Sequence, residues 1–150
     1  MTRSPELERS DWILLALLAA KDHSLTAVKL QKTLFLLGER RKRELTGGFY
    51  SFRPYHYGPF AADVYHDADI LESNGLIEVD TSQGRSLRRY VLTSAGLQAA
   101  RKAATHRPKK GVDYLARVVA WAQPLPFNLL VRAIYEEFPT MRANSIFEEQ

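Results

Sequence analysis

The chain contains no cysteine. That excludes disulfide staples, thiolate metal sites and thiol nucleophiles, and it suits a reducing compartment. Long apolar runs are lacking too. The longest, Trp12–Ala20, has nine residues, whereas a bilayer span needs about 20. A secretory leader would need a positive flank, but Arg3 and Arg9 are outweighed by Glu6, Glu8 and Asp11. The run therefore reads as the buried first helix of a cytoplasmic protein with no membrane association. There is no phosphate-cradling glycine loop, because Gly47-Gly48 leads into aromatics and lacks a following Lys-Ser/Thr pair. The histidines His23, His56, His66 and His106 are scattered without metal-ligand spacing. No motif activates a serine. No enzyme chemistry, metal or cofactor is expected.

What is present describes an ordinary globular chain. Its 150 residues, 45% hydrophobic and 25% charged, fit a single domain with a sizeable core. The net charge of +4 is unevenly placed. Basic and acidic residues balance over residues 1–77, and acids prevail beyond residue 111. Residues 78–110 carry eight Lys/Arg against Glu78 and Asp80. That middle stretch could meet an anion.

Periodicity predicts the elements. Ser10 is a candidate N-cap for a first helix running to about Lys21, with Trp12, Leu15, Ala16 and Ala19 at helical spacing. Asp22–Ser24 reads as a break. Thr26 can cap a second helix whose stripe is Ala27, Leu30, Leu34 and Leu37, widened by Val28 and Phe35. The aromatics of 49–60, with Pro54 among them, suggest an extended edge segment, and Tyr55 and Tyr57 are expected to pack on the second helix. Gly58-Pro59 reads as the start of a third helix, 60–74, stopped by Asn74-Gly75. A hairpin follows, with strands 76–80 and 88–92 joined by a turn over 81–85. Thr93 then caps a helix over 94–104, and Thr105–Gly111 reads as a linker or tight loop. Two more helices, 112–123 and 127–138, are separated by Pro124 and Pro126. The expected fold is mainly α with a small β hairpin: a winged-helix-like core over residues 1–104 with an inserted aromatic strand. The helical pair over 112–139 would dock on that core or on a second chain, making a homodimer.

Two surfaces are candidates for function. Arg85, Arg88 and Arg89 sit on the hairpin, where a wing would touch nucleic-acid phosphates; the same charges could simply protect an edge strand. Asp63, His66 and Asp67 share one face of the third helix, which reads as solvated and opposite the apolar stripe. That helix also holds Asp69 and Glu72 and no basic residue. A winged helix normally sends this element into the major groove, and four acids there would repel a polyanion. A protein partner with a basic surface suits it better.

The run Lys29-Leu30-Gln31-Lys32-Thr33-Leu34-Phe35, then Tyr57-Gly58-Pro59-Phe60 and Tyr90-Val91-Leu92-Thr93, resembles the bacterial YwgA-like proteins and the broader Panacea group, which includes SocA-like antitoxins. Ile134-Tyr135, Phe138-Pro139 and Asn144-Ser145 resemble the end of YwgA-like chains. The resemblance implies a regulatory module acting through protein contacts, antitoxin-like or part of a mobile-element or defence system. It also implies Lys29, Gln31 and Lys32 as surface contacts. A wing-led DNA-binding regulator is the alternative.

Overall fold

The computed structural model of the chain describes residues 9–45 and 48–146. Arg3, Glu6, Glu8 and Gly47 lie outside them. The described chain is mainly helical, with two small antiparallel sheets. Helix α1 (Asp11–Ala19) leads through a tight turn into strand β1 (Ser24–Thr26) and helix α2 (Ala27–Arg40). Strands β2 (Arg53–Tyr55) and β3 (Gly58–Phe60) precede helix α3 (Ala62–Ser73). Strands β4 (Ile77–Asp80) and β5 (Arg89–Leu92) lead to helices α4 (Ser94–His106), α5 (Lys109–Ala122) and α6 (Phe127–Glu137).

The two threonine caps form as the sequence predicts. Thr26 accepts from the Lys29 amide at 3.4 Å. Thr93 accepts from the Gly96 amide at 3.0 Å while its hydroxyl donates to the Gly75 carbonyl at 2.6 Å, so one side chain starts α4 and fixes the end of α3. Ser10 makes no side-chain cap bond, because its backbone is already helical.

Helix α1 is buried on more faces than its predicted stripe. Trp12 to Leu17 are all in the core, while Ala19 is exposed. The cause is its place among α2, α4 and α5. Helix α2 is likewise two-sided. Leu30, Leu34 and Leu37 face the main core, whereas Phe35 and Leu36 join Val118, Ala122, Leu130 and Ile134 in a second cluster with α5 and α6. The last two helices thus dock on this chain's own α1 and α2. Thr105–Gly111 is not a loop: only Arg107-Pro108 separate α4 from α5, and Arg107 is buried with its guanidinium 3.1 Å from Asp11 on α1.

The Asp22–Ser24 break holds more order than predicted. Asp22 and His23 have positive φ, and the turn delivers β1 onto β5, giving the order β1-β5-β4. Tyr90 lies between Leu25 and Val79 across this sheet, and both Tyr90 and Leu25 are buried.

The aromatic segment is a second hairpin, β2 paired with β3. Pro59 lies in β3 and opposite Pro54, not in the first turn of a helix, which begins at Ala62. Tyr55 and Tyr57 are 44% and 43% exposed, not packed in the core. Tyr50 is the buried one, 5% exposed. Tyr57→Ala is accordingly expected to cost less than about 1 kcal/mol, whereas Tyr50→Ala should cost about 3–5 kcal/mol. Urea midpoints of the two variants measure the difference; equal losses would place Tyr57 in the core.

Candidate functional site

Six side chains were expected at a partner surface, and the fold separates them. Lys29 points at the end of α5, its ammonium donating to the Gln123 carbonyl at 2.5 Å and the Leu125 carbonyl at 2.8 Å. A cation capping the carbonyl end of a helix is favourable, and burial followed by the nearby Arg89 lowers its pKa. Gln123 answers with its own amide, accepting from the Lys21 amide at 2.7 Å and donating to the Ser24 carbonyl at 3.0 Å. Gln31 is 1% exposed and forms a two-point clamp on Ala61, donating to its carbonyl and accepting from its amide, each at 3.0 Å. Both residues are structural ties rather than surface contacts. The requirement that buried amides be satisfied explains them.

Asp67 is not on a solvated face. It accepts from the Tyr50 hydroxyl at 2.7 Å and from Arg9 Nε at 2.9 Å. Arg9 also reaches Asp63 at 3.4 Å and lies over the Tyr50 ring, 4.7 Å from its centre. Burial and the Asp67 bond push the Tyr50 phenol far up, so it stays a donor. This network ties the segment before α1, the aromatic segment and α3 together. Within it the Tyr50 hydroxyl and the Arg9 guanidinium both donate to the one Asp67 carboxylate. Sequence spacing could not reveal it, because Arg9 and Tyr50 are 58 and 17 residues from Asp67.

Asp63 and His66 remain exposed on α3, joined by Asp69, Glu72 and the 46% exposed Ile70. The outer face of α3 is therefore acidic with one apolar residue in it. No group of three or more His, Asp or Glu able to hold a metal occurs among the described residues. A groove between α2, α5 and α6, lined by Arg40, Arg117, Trp121 and Glu137, does not include Asp63 or His66.

The three hairpin arginines are not equivalent. Arg88 turns inward: it donates to the Tyr90 hydroxyl at 3.3 Å and to the Arg85 carbonyl at 2.9 Å, and stacks over Tyr65 at 4.2 Å. Arg89 is exposed and donates to Ser24 Oγ at 3.2 Å. Arg85 is exposed in the turn beside Leu87, which is 57% exposed. Two arginines, not three, face outward.

Lys32 has a different environment from either neighbour in its motif. It is 4% exposed beneath the β2–β3 turn, and no hydrogen bond or ion pair reaches its ammonium among the described residues. Burial alone lowers its pKa to about 8.

Comparison with protein-family models, curated proteins and solved structures finds no match to this chain. The resemblance to the Panacea group therefore rests on its motifs alone. No helix among the described residues is long and apolar enough to cross a membrane.

Proposed function

We propose that this chain is a non-enzymatic cytoplasmic binding module that works through protein contacts, an antitoxin-like regulator of the kind found in mobile-element or defence systems. In this reading α1–α3 with the β1-β5-β4 sheet make a winged-helix-like core, into which the β2–β3 hairpin is inserted. The observation that carries the reading is the outer face of α3: Asp63, His66, Asp69, Ile70 and Glu72 are exposed and the helix contributes no Lys or Arg, so that Arg9 beside Asp63 and Arg88 over Tyr65 leave the acids of this face in excess. Such a face repels a phosphate backbone and suits a basic protein surface.

The second reading, a DNA-binding regulator led by its wing, has Arg85 and Arg89 in its favour. Two phosphate contacts give a salt slope of only about −1.8 on duplex DNA, and phosphate contacts alone carry no sequence choice. The test is a titration with random duplex and with selected sites at about 0.15 M salt. Weak, unselective binding that disappears on replacing Arg85 and Arg89 with alanine is the expected outcome. Tight, selective binding that survives those changes would reverse the choice.

A further inference from the structure

Lys32 combines burial, a free charge and an aromatic surround. Its ammonium is 6.0 Å from the centre of the Phe127 ring, and Phe127 meets Tyr57 edge-on at 5.8 Å. Gly58 lies directly over it. A Cβ there would be 3.6 Å from Lys32 Cε and from Tyr135, and 4.0 Å from Lys32 Nζ. Gly58 also has φ +99°, a conformation that suits glycine. The turn thus covers the lysine with bare backbone.

Exposed aromatic and apolar side chains lie beside this point, with His56 among them. Tyr55 stacks on His56 at 4.2 Å, the Ile146 amide donates to the His56 carbonyl at 2.9 Å, and Tyr55, Tyr57 and Ile146 are each at least 43% exposed. The turn is held from below by the last described residues, where Asn144 and Ser145 donate to the Pro54 and His56 carbonyls. Aromatic residues are enriched at the centres of protein interfaces, where lysine is uncommon and a charge that is desolvated needs an opposite charge from the partner. The Lys32 ammonium is not itself sealed, since Arg41 Nε is the fully enclosed orphan donor among the described residues.

We propose that Lys32 is a docking point for a carboxylate on an acidic segment of a protein partner, with Tyr57 and Phe127 packing against the group that bears it. The proposal rests on the protein-binding reading and names the chemistry of the partner at this site. A buried cation without a counter-charge favours an anion that enters with it. Burial is what lowers the pKa of the lysine, and no carboxylate among the described residues pairs with it. One isolated positive charge matches a single carboxylate and would leave a phosphate dianion half compensated.

The probe is benzoate, with benzamide as the uncharged control and phenyl phosphate as the dianion, followed by NMR of the lysine side chain and aromatic rings in the full chain. Benzoate should shift the Lys32, Tyr57 and Phe127 resonances and raise the Lys32 titration midpoint by about one pH unit. Benzamide should do neither, and phenyl phosphate should bind more weakly than benzoate. Lys32→Met, which keeps the apolar stem, should weaken benzoate at least about tenfold. If that variant folds poorly, Tyr57→Ala, at an exposed position, should weaken benzoate without loss of fold. An unchanged Lys32 midpoint, or equal shifts in Lys32→Met, would overturn the proposal. This failure is separate from that of the protein-binding reading, which tight, selective DNA binding alone would overturn.

Discussion

Gly96→Ala is expected to destabilise the fold by about 3 kcal/mol or more, beyond the usual cost of overpacking by one methyl. Gly96 lies in the first turn of α4, where a Cβ would come within 1.8 Å of the Leu76 carbonyl oxygen and 2.8 Å of its carbon. The obstacle is backbone, so no side chain can swing aside. That same carbonyl accepts from the Thr93 amide at 3.1 Å. Moving α4 away would therefore disturb the junction that Thr93 holds between α3 and α4. Thermal unfolding should occur about 6–12 °C lower. Alanine at Gly75, where nothing lies within 4 Å, would carry only the strain of its positive φ, +76°, and is the control. A Gly96→Ala protein as stable as the parent would mean that α4 is less tightly seated than its contacts indicate.

Lys32→Met is expected to act in the opposite direction, raising stability near pH 7 by about 3 kcal/mol. That is the free-energy equivalent of a lysine whose pKa burial lowers from 10.5 to about 8. Below pH 8 the lysine is charged in both folded and unfolded chains, so the folded state bears the full cost of burying it. As pH rises from 8 to 10.5 the folded chain releases the proton first, the unfolded chain holds more protons, and stability increases. The advantage of methionine should therefore be greatest below pH 8, shrink between 8 and 10.5 and vanish above. Urea midpoints of parent and variant across this range measure it. A variant less stable than its parent at pH 7 would show that the ammonium is held by favourable contacts.

The sequence made those parts of the architecture legible whose causes are local. Thr26 and Thr93 announce their helices because a hydroxyl at the N-cap serves an amide three residues on. The Ala27-Leu30-Leu34-Leu37 stripe marks a helix face by spacing alone. Strand β1 was hidden because three residues show no alternation, and because the turn before it uses Asp22 and His23, not glycine, at positive φ. Pro59 misled for a similar reason: proline suits both the first turn of a helix and an edge strand, and pairing with β2 decides between them. The surfaces were harder still. Asp67 looked solvated because its partners, Arg9 and Tyr50, come from distant segments. Lys29, Gln31 and Lys32 share one helix, but one caps α5, one clamps Ala61 and one lies under Gly58. Spacing cannot distinguish these fates, since each depends on what another element brings to it. The acidic outer face of α3 was readable, because exposed charge needs no partner to place it.

The enclosure of α1 has a consequence for how the protein is made. Trp12 to Leu17 are covered in part by Leu115 and Val119 of α5, which leave the ribosome about a hundred residues later. At roughly 5–20 residues per second, this greasy helix waits about 5–20 s for its lid. During that interval the nascent chain offers a stretch suited to a chaperone, or to a neighbouring chain on the same message. Slowing translation between α2 and α5 should lengthen the exposure and raise the share of aggregated product, while leaving the finished molecule unchanged.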